Sequence, residues 1–542
     1  MNSDKEPSGP HLSPLQRAHA AMAAFSPLLS LLGQEFRRRP VPYVLLAVFL
    51  SLYLVEFVFP FVPVLPWGDE CIYLSNARRM LEGQVIYRDF FQFTTPGTEL
   101  LYVLLFKLLR PRVWIPSAML VLLGIVLMWL AIAISKKVLD QWAAFLAPIL
   151  FLTFAFRSAL SATHHWYSTL AVTAAIAVLI EKRGLARLTL GGVLCGLALC
   201  FTQARGLAAI FGFALFLLWE NRHNKYRWPS FLRRASYLFA GFLVTVVALN
   251  GYFVWKAGPE RFLECTVIFG VRYYPAVSEV NTLKAYMVTL PDVRGWADLP
   301  KLAVYFFIHA LLPLTYVLFF IRYRHQVRTR PLEPWDRLML LNIVGLFLFV
   351  GVAPAPNFFR LCTVALPALI VFVWLIGSPG KLHWASARVL WAFCLIVTVA
   401  GPWRAQRRSY TYLDLPSGRT AFPDPPWYDR CKWVLEHTRP SEFLFDASGS
   451  GFYFLFGLRN PAPVPFLTPT DYTRPEQVQD VVEGLESRRV PYVVWPLWLD
   501  SWYYHNPAFD HLDPLRAYLR HQYHVVKTFE NYDYDQIWKR NQ

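Results

Sequence analysis

The segment Pro66-Trp67-Gly68-Asp69-Glu70-Cys71-Ile72-Tyr73 places two adjacent carboxylates a few residues beyond the first long apolar run, and Tyr87-Arg88-Asp89-Phe90 brings in a third. A bilayer edge penalises buried charge unless it is paired or used, so acids at this point suit proton transfer, cation pairing or ion binding. A structural role competes with these. Asp69 can cap a helix from Glu70 to Glu82, with Glu70 favoured by the dipole in the first turn and Gly83 ending the helix. Capping and catalysis are compatible.

The elements that must hold these acids are membrane helices. The chain of 542 residues is 55% hydrophobic, 17% aromatic and 16% charged, with a mean hydropathy of +0.33. That is too apolar for a soluble domain of this length, and long apolar runs recur, so the pattern predicts a polytopic α-helical membrane protein. Spans fall at roughly 41–60, 114–134, 142–160, 166–181, 187–202, 206–220, 235–256, 302–321, 338–353, 361–377 and 388–403, about eleven in all. The net charge of +17 suggests nucleic acid in a soluble protein. Here the cations cluster between spans, as the positive-inside rule expects, and no nucleic-acid partner is inferred.

Basic clusters occupy every second segment between spans, and so share one side of the membrane: Arg37-Arg38-Arg39, Lys136-Lys137, then Lys182 to Arg187, Arg222 to Arg234, Arg322 to Arg330, and Lys381 with Arg388. This predicts a cytoplasmic N-terminal segment (1–40), a membrane domain (41–403) with extracytoplasmic loops at about 61–113 and 257–301, and an extracytoplasmic tail (404–542). The acids then lie outside the cytoplasm. In the first loop, Ile72, Leu74, Ala77 and Leu81 share a helical face, and Leu100 to Leu108 form a second apolar segment too short to span, so both read as surface helices. The tail is Pro-rich and alternates strand and helix: strands at 443–445, 491–495, 523–526 and 537–538, and helices at 476–488 and 515–520. This predicts a compact α/β domain. Seven cysteines without paired spacing give neither a disulfide framework nor a zinc signature.

The first loop, Gly68-Asp69-Glu70, Tyr73, Ala77-Arg78, Gly83, Tyr87-Arg88-Asp89-Phe90 and Pro96-Gly97, resembles that of the family 39 glycosyltransferases. These are the protein mannosyltransferase and aminoarabinose transferase relatives within the GT-C superfold. His165-Trp166-Tyr167-Ser168, Thr202-Gln203-Ala204-Arg205-Gly206 and Arg360 with Pro367 are similar too. The resemblance implies an integral membrane transferase that moves a sugar from a polyprenyl-phosphate donor to an acceptor protein, lipid or polysaccharide. It also implies a bacterial inner-membrane location with the site facing the periplasm or cell exterior.

By the same resemblance Asp69 is the base, Glu70 orients it or binds the acceptor or a metal, and Asp89 is a third acid. Tyr87, Arg88, His164, His165, Gln203, Arg205, Arg272 and Arg360 bind substrate, the arginines meeting the charge of a lipid-phosphate leaving group. A divalent cation, Mg or Mn, at Asp69 and Glu70 is an open alternative. Thr94-Thr95-Pro96-Gly97 departs from the relatives, which often carry an acidic or basic residue at that step, so a second acid falls to Asp89 or Glu99. Two other readings compete: a polytopic transporter and a membrane-anchored binding or scaffold protein. A transporter is expected to show repeats and mid-membrane ionisable positions, whereas the polar residues here gather on one face.

Overall fold

The computed structural model describes residues 38–66, 68–225, 227–278, 281–288, 295–296, 299–377, 381–501, 509–529 and 535–542. The N-terminal segment through Arg37, together with Trp67 and Arg294, therefore lies outside the described residues. The first apolar run folds as α1 (Pro40–Glu56), shorter than the span expected at 41–60. The chain then turns into a small hairpin, β1 (Phe57–Val58) against β2 (Val62–Pro63). Pro60 and Pro63 have no N–H to continue a helix. Beyond the hairpin come α2 (Asp69–Leu81) and α3 (Gly97–Leu109), the two helices expected in the first loop.

The helical body continues through α4 (Trp114–Ser135), α5 (Ala143–Leu150), α6 (His164–Leu179), α7 (Leu185–Phe201), α8 (Gln203–His223) and α9 (Trp228–Ala257). After a broken run to Arg272 it resumes with α10 (Leu299–Gln326), α11 (Trp335–Val352), α12 (Phe358–Thr363), α13 (Ala365–Ile376) and α14 (Lys381–Arg407). Among the described residues six helices are long and apolar enough to cross a membrane. Four more apolar helices, including α1 and α7, are shorter. The expected span at 361–377 is instead two pieces broken at Val364. The fold is built on this bundle, and the protein is an integral membrane protein.

Small residues let the helices approach closely. A Cβ on Gly192 of α7 would collide with the Leu238 carbonyl of α9, and one on Gly97, at the start of α3, would collide with the Cys200 carbonyl. Both contacts exclude any larger residue, and Gly97 thereby fixes the end of the first loop against α7.

Past α14, β3 (Thr411–Leu415) and β4 (Gly418–Phe422) form an antiparallel hairpin. Next come α15 (Pro425–His437), β5 (Phe445–Asp446), α16 (Gly451–Phe456), α17 (Pro475–Ser487), β6 (Tyr492–Trp495), α18 (Asp513–Gln522), β7 (Tyr523–Thr528) and β8 (Gln536–Arg540). A four-stranded sheet runs in the order β5-β6-β8-β7, with β5 parallel to β6 and the other pairs antiparallel. Its own apolar cluster joins Phe445, Val481, Val493 and Leu519. Phe452 to Phe456 belong instead to the core that runs through the helical bundle. Main-chain bonds also pin this part of the chain to the first loop: Leu65 N–H donates to the Ala421 carbonyl at 3.0 Å and Phe91 N–H to that of Pro463 at 2.8 Å.

Candidate functional site

The site is built on the start of α2. Gly68 precedes the helix at φ 65°, a conformation that costs other L-residues roughly 1–2 kcal/mol. No side chain caps this end: the N-cap is Gly68 and Asp69 is already helical, so the capping role for Asp69 is not what the fold uses. Among the described residues no hydrogen bond to the Asp69 carboxylate is formed. The side chain has an open face on a cavity of about 620 Å³, which it shares with Arg408, Trp427, Arg430, Asp446 and Trp498. The protein packed around it still desolvates the carboxyl and raises its pKa, and the charge of Arg360 opposes that rise.

Arg360 sits in the first turn of α12, where the Asn357 side chain caps the helix by accepting its N–H at 2.9 Å. Its guanidinium donates to the Ala355 carbonyl at 3.0 Å, to the Tyr274 hydroxyl at 2.8 Å and to Asn281 Oδ1 at 2.9 Å. All three partners are neutral, so the positive charge is oriented without being cancelled.

Arg205, buried at the start of α8, repeats the pattern. It donates to the His165 carbonyl, to Ser168 Oγ at 2.5 Å and to Thr363 Oγ1 at 2.6 Å. Its Nε has no partner among the described residues. Thr363 in turn donates to the Arg360 carbonyl at 2.7 Å, which joins the two arginines through one hydroxyl.

His164 and His165 open α6 with ring centroids 3.8 Å apart. Tyr73, one helical turn beyond Asp69, reaches His164 Nδ1 with its hydroxyl at 2.6 Å. Burial, and then the carboxylates of Glu99 and Asp69, hold the Tyr73 phenol well above its usual range. Asp69, Tyr73, His164, His165, Arg205 and Arg360 thus form one polar cluster supplied by α2, α6, α8 and α12.

The other candidates make different contacts. Glu70 is buried and accepts the Ala162 N–H at 2.7 Å, and burial pushes its carboxyl up to about 7 against that bond. Glu99 is held by Gln92 at 2.8 Å and Asn76 at 3.3 Å, and burial takes it to about 7 as well. Asp89 is chelated by Arg88 through two bonds of 2.8 Å and accepts the Val85 N–H at 2.7 Å. The Arg88 bonds hold its carboxyl below the usual range. Tyr87, buried among Phe253 and Phe262, gives its hydroxyl to the Thr94 carbonyl at 2.6 Å. Gln203 ties Phe93 to Thr266 through their carbonyls, at 2.9 and 3.2 Å. Arg272 is exposed and lies over Tyr273 at 5.3 Å.

No group of three His, Cys, Asp or Glu side chains converges among the described residues. Glu70 is engaged with Ala162 while Asp69 faces the cavity, so the two carboxylates make different contacts. Sequence reasoning missed Tyr73, Tyr274, Asn281, Thr363 and Ser168 as members of the cluster. Tyr73 carried a local signal in its i+4 spacing from Asp69, and Ser168 in closing the segment that begins at His165. Tyr274 and Asn281 come from the second loop, and Thr363 from another helix.

No family model matches the chain, and no curated protein matches it in sequence. Among solved structures it is similar to ArnT from Cupriavidus metallidurans bound to undecaprenyl phosphate, with a TM-score of 0.55 and 11% identity over 92% of this chain and 97% of that one. It is also similar to ArnT from the same organism in the apo state, with a TM-score of 0.53 and 14% identity over 92% and 96%. A looser likeness, TM-score 0.49 at 13% identity over 91% and 74%, is to the archaeal oligosaccharyltransferase AglB from Archaeoglobus fulgidus. The chain shares its overall fold with these ArnT structures.

Proposed function

We propose that the protein is an integral membrane glycosyltransferase that moves a hexosyl or pentosyl group from a polyprenyl-phosphate donor to an acceptor hydroxyl, with inversion. The observation that carries this reading is the position of Asp69: one side opens on a large cavity, and the other lies within the field of an arginine bonded only to neutral partners. Asp69 takes the proton of the acceptor hydroxyl as that oxygen bonds to the anomeric carbon. The bond from this carbon to the phosphate oxygen breaks, and its electron pair leaves with polyprenyl phosphate. Arg360 and Arg205 stabilise the charge that develops there. Tyr73 and the His pair line the donor side, and Glu70 holds the start of α2 against Ala162.

In the same reading residues 1–40 are cytoplasmic, 41–403 form the membrane domain, and 404–542 form an extracytoplasmic domain that closes the cavity over the acceptor, whether protein, lipid or polysaccharide. The confinement of the basic clusters to every second inter-span segment supports this orientation, with the site on the outer face of a bacterial plasma membrane. The test is a panel of polyprenyl-phosphate sugars offered to the purified protein in liposomes, with release of polyprenyl phosphate measured. The expected result is turnover of one donor. A complete panel left unconsumed and unbound would favour the transport or scaffold readings and end this one.

A further inference from the structure

A second cavity, about 260 Å³, lies against the C-terminal half of α2, further along the helix from Asp69. Its walls carry four arginines, Arg78, Arg79, Arg459 and Arg488, and one carboxylate, Glu82. Glu82 is shared, at 3.3 Å from Arg78 and 3.8 Å from Arg459. The other contacts of these guanidiniums are neutral. Arg78 donates to the carbonyls of Gly457 at 2.8 Å and Tyr453 at 3.3 Å. Arg79 donates to the Ala462 carbonyl at 3.0 Å and Gln84 Oε1 at 2.7 Å. Arg488 donates to the Pro461 carbonyl at 2.9 Å. These bonds aim the side chains and leave their charge in place. Burial takes Arg79 down to about 10, with a smaller push from Arg488 set against the opposing pull of Tyr453, Asp89 and Glu82.

We propose that this pocket binds a phosphate-class anion. Guanidinium forks match phosphate oxygens in pairs, and each arginine here has donors left over after its carbonyl bonds. At roughly 30 Å³ per water in the liquid, the space holds a phosphate and its first attached atoms but no extended glycan. Ser450 lines both this pocket and the cavity on which Asp69 opens. An anion seated here is either free phosphate or the charged group of a larger molecule whose other end reaches Asp69. Only that last connection rests on the transferase reading; the anion site does not.

The experiment is calorimetric titration of the full-length protein in nonionic detergent with inorganic phosphate at constant ionic strength. It is repeated with competition from nanodiscs of phosphatidylcholine with and without phosphatidic acid. Saturable binding is expected. It should weaken by at least about tenfold when Arg459→Gln and Arg488→Gln are combined, and tighten severalfold in Glu82→Gln. The opposite sign of the two variants separates a charge effect from misfolding. Displacement by phosphatidic acid alone identifies a headgroup as the source, and its absence identifies free phosphate. Asp69→Asn should bind phosphate as the wild type does, whatever its effect on transfer. No saturable binding of either probe, or equal affinity in the double arginine variant and the Glu82→Gln protein, would overturn the proposal.

Discussion

The first loop places two aspartates within reach of an arginine, and the two pairs are built in opposite ways. Asp89 and Arg88 are sequence neighbours that close on each other at 2.8 Å near the surface. Asp69 and Arg360 come from distant parts of the chain and interact through the field rather than through a shared hydrogen bond. Arg360 is bonded to Tyr274, Asn281 and the Ala355 carbonyl instead. A closed, solvated ion pair locks a turn and contributes little else. A carboxylate left open beside an uncancelled cation keeps its lone pairs for a proton, and the cation keeps its charge for a second ligand. Chemistry is expected at the open pair.

Exchanging the two acids one at a time tests that contrast most strongly. Asp69→Asn should cut the transfer rate by about a thousandfold, within the usual range for loss of a positioned base. Asp89→Asn should leave it within a factor of a few. Similar losses in both variants, measured as kcat in liposomes, would erase the distinction. Arg360→Ala comes next, with an expected fall of about ten- to a hundredfold in kcat/KM for the lipid-linked donor. An unchanged value would mean that Arg360 only anchors α12.

The buried acids sharpen the picture through stability. Glu70 rises from 4.5 to about 7 in the folded protein. Its folded pKa is above the unfolded one, so the associated stability is present below about pH 4.5 and is lost as pH rises through about 7. Glu70→Gln removes that loss, and thermal unfolding should show it as a gain over wild type on the order of 2 kcal/mol at pH 8 that vanishes near pH 4. A parallel offset at both pH values would contradict it. The smallest effect belongs to Asp89. Its folded pKa is depressed, so its contribution is present at neutral pH and lost on acidification, and Asp89→Asn should cost at most about 1 kcal/mol.

Much of the frame was legible because apolar runs and their basic flanks are local signals. The two short helices after the first hairpin, α2 and α3, and α17, β6 and β8 follow from periodicity in the same way. The hairpin of β3 and β4 is not legible in the sequence, although Pro416-Ser417-Gly418 offers a turn, because β3 buries only Leu413 and Leu415. Asp69 was legible from its place beside a span, but what surrounds it was not. Arg360, Tyr274 and Asn281 meet only through the packing of α12 against the second loop. The cavity on the other side of Asp69 is walled by Trp427, Asp446 and Trp498, more than 350 residues away in sequence. Nothing local in a sequence encodes such a meeting. The same holds for Arg459 and Arg488 against Arg78 and Arg79.

The most direct test of Asp69 as the base is the pH dependence of single-turnover transfer by the wild-type protein and by Arg360→Ala, with Asp69→Asn as the blank. Desolvation raises the Asp69 pKa and Arg360 lowers it, and the base must be ionised to accept a proton. Wild-type transfer should therefore fall on acidification with a midpoint above the ordinary aspartate value of 3.8, the limb should move to higher pH in Arg360→Ala, and Asp69→Asn should show no such limb. A limb that stays in place when Arg360 is removed, or that persists in Asp69→Asn, would contradict the assignment.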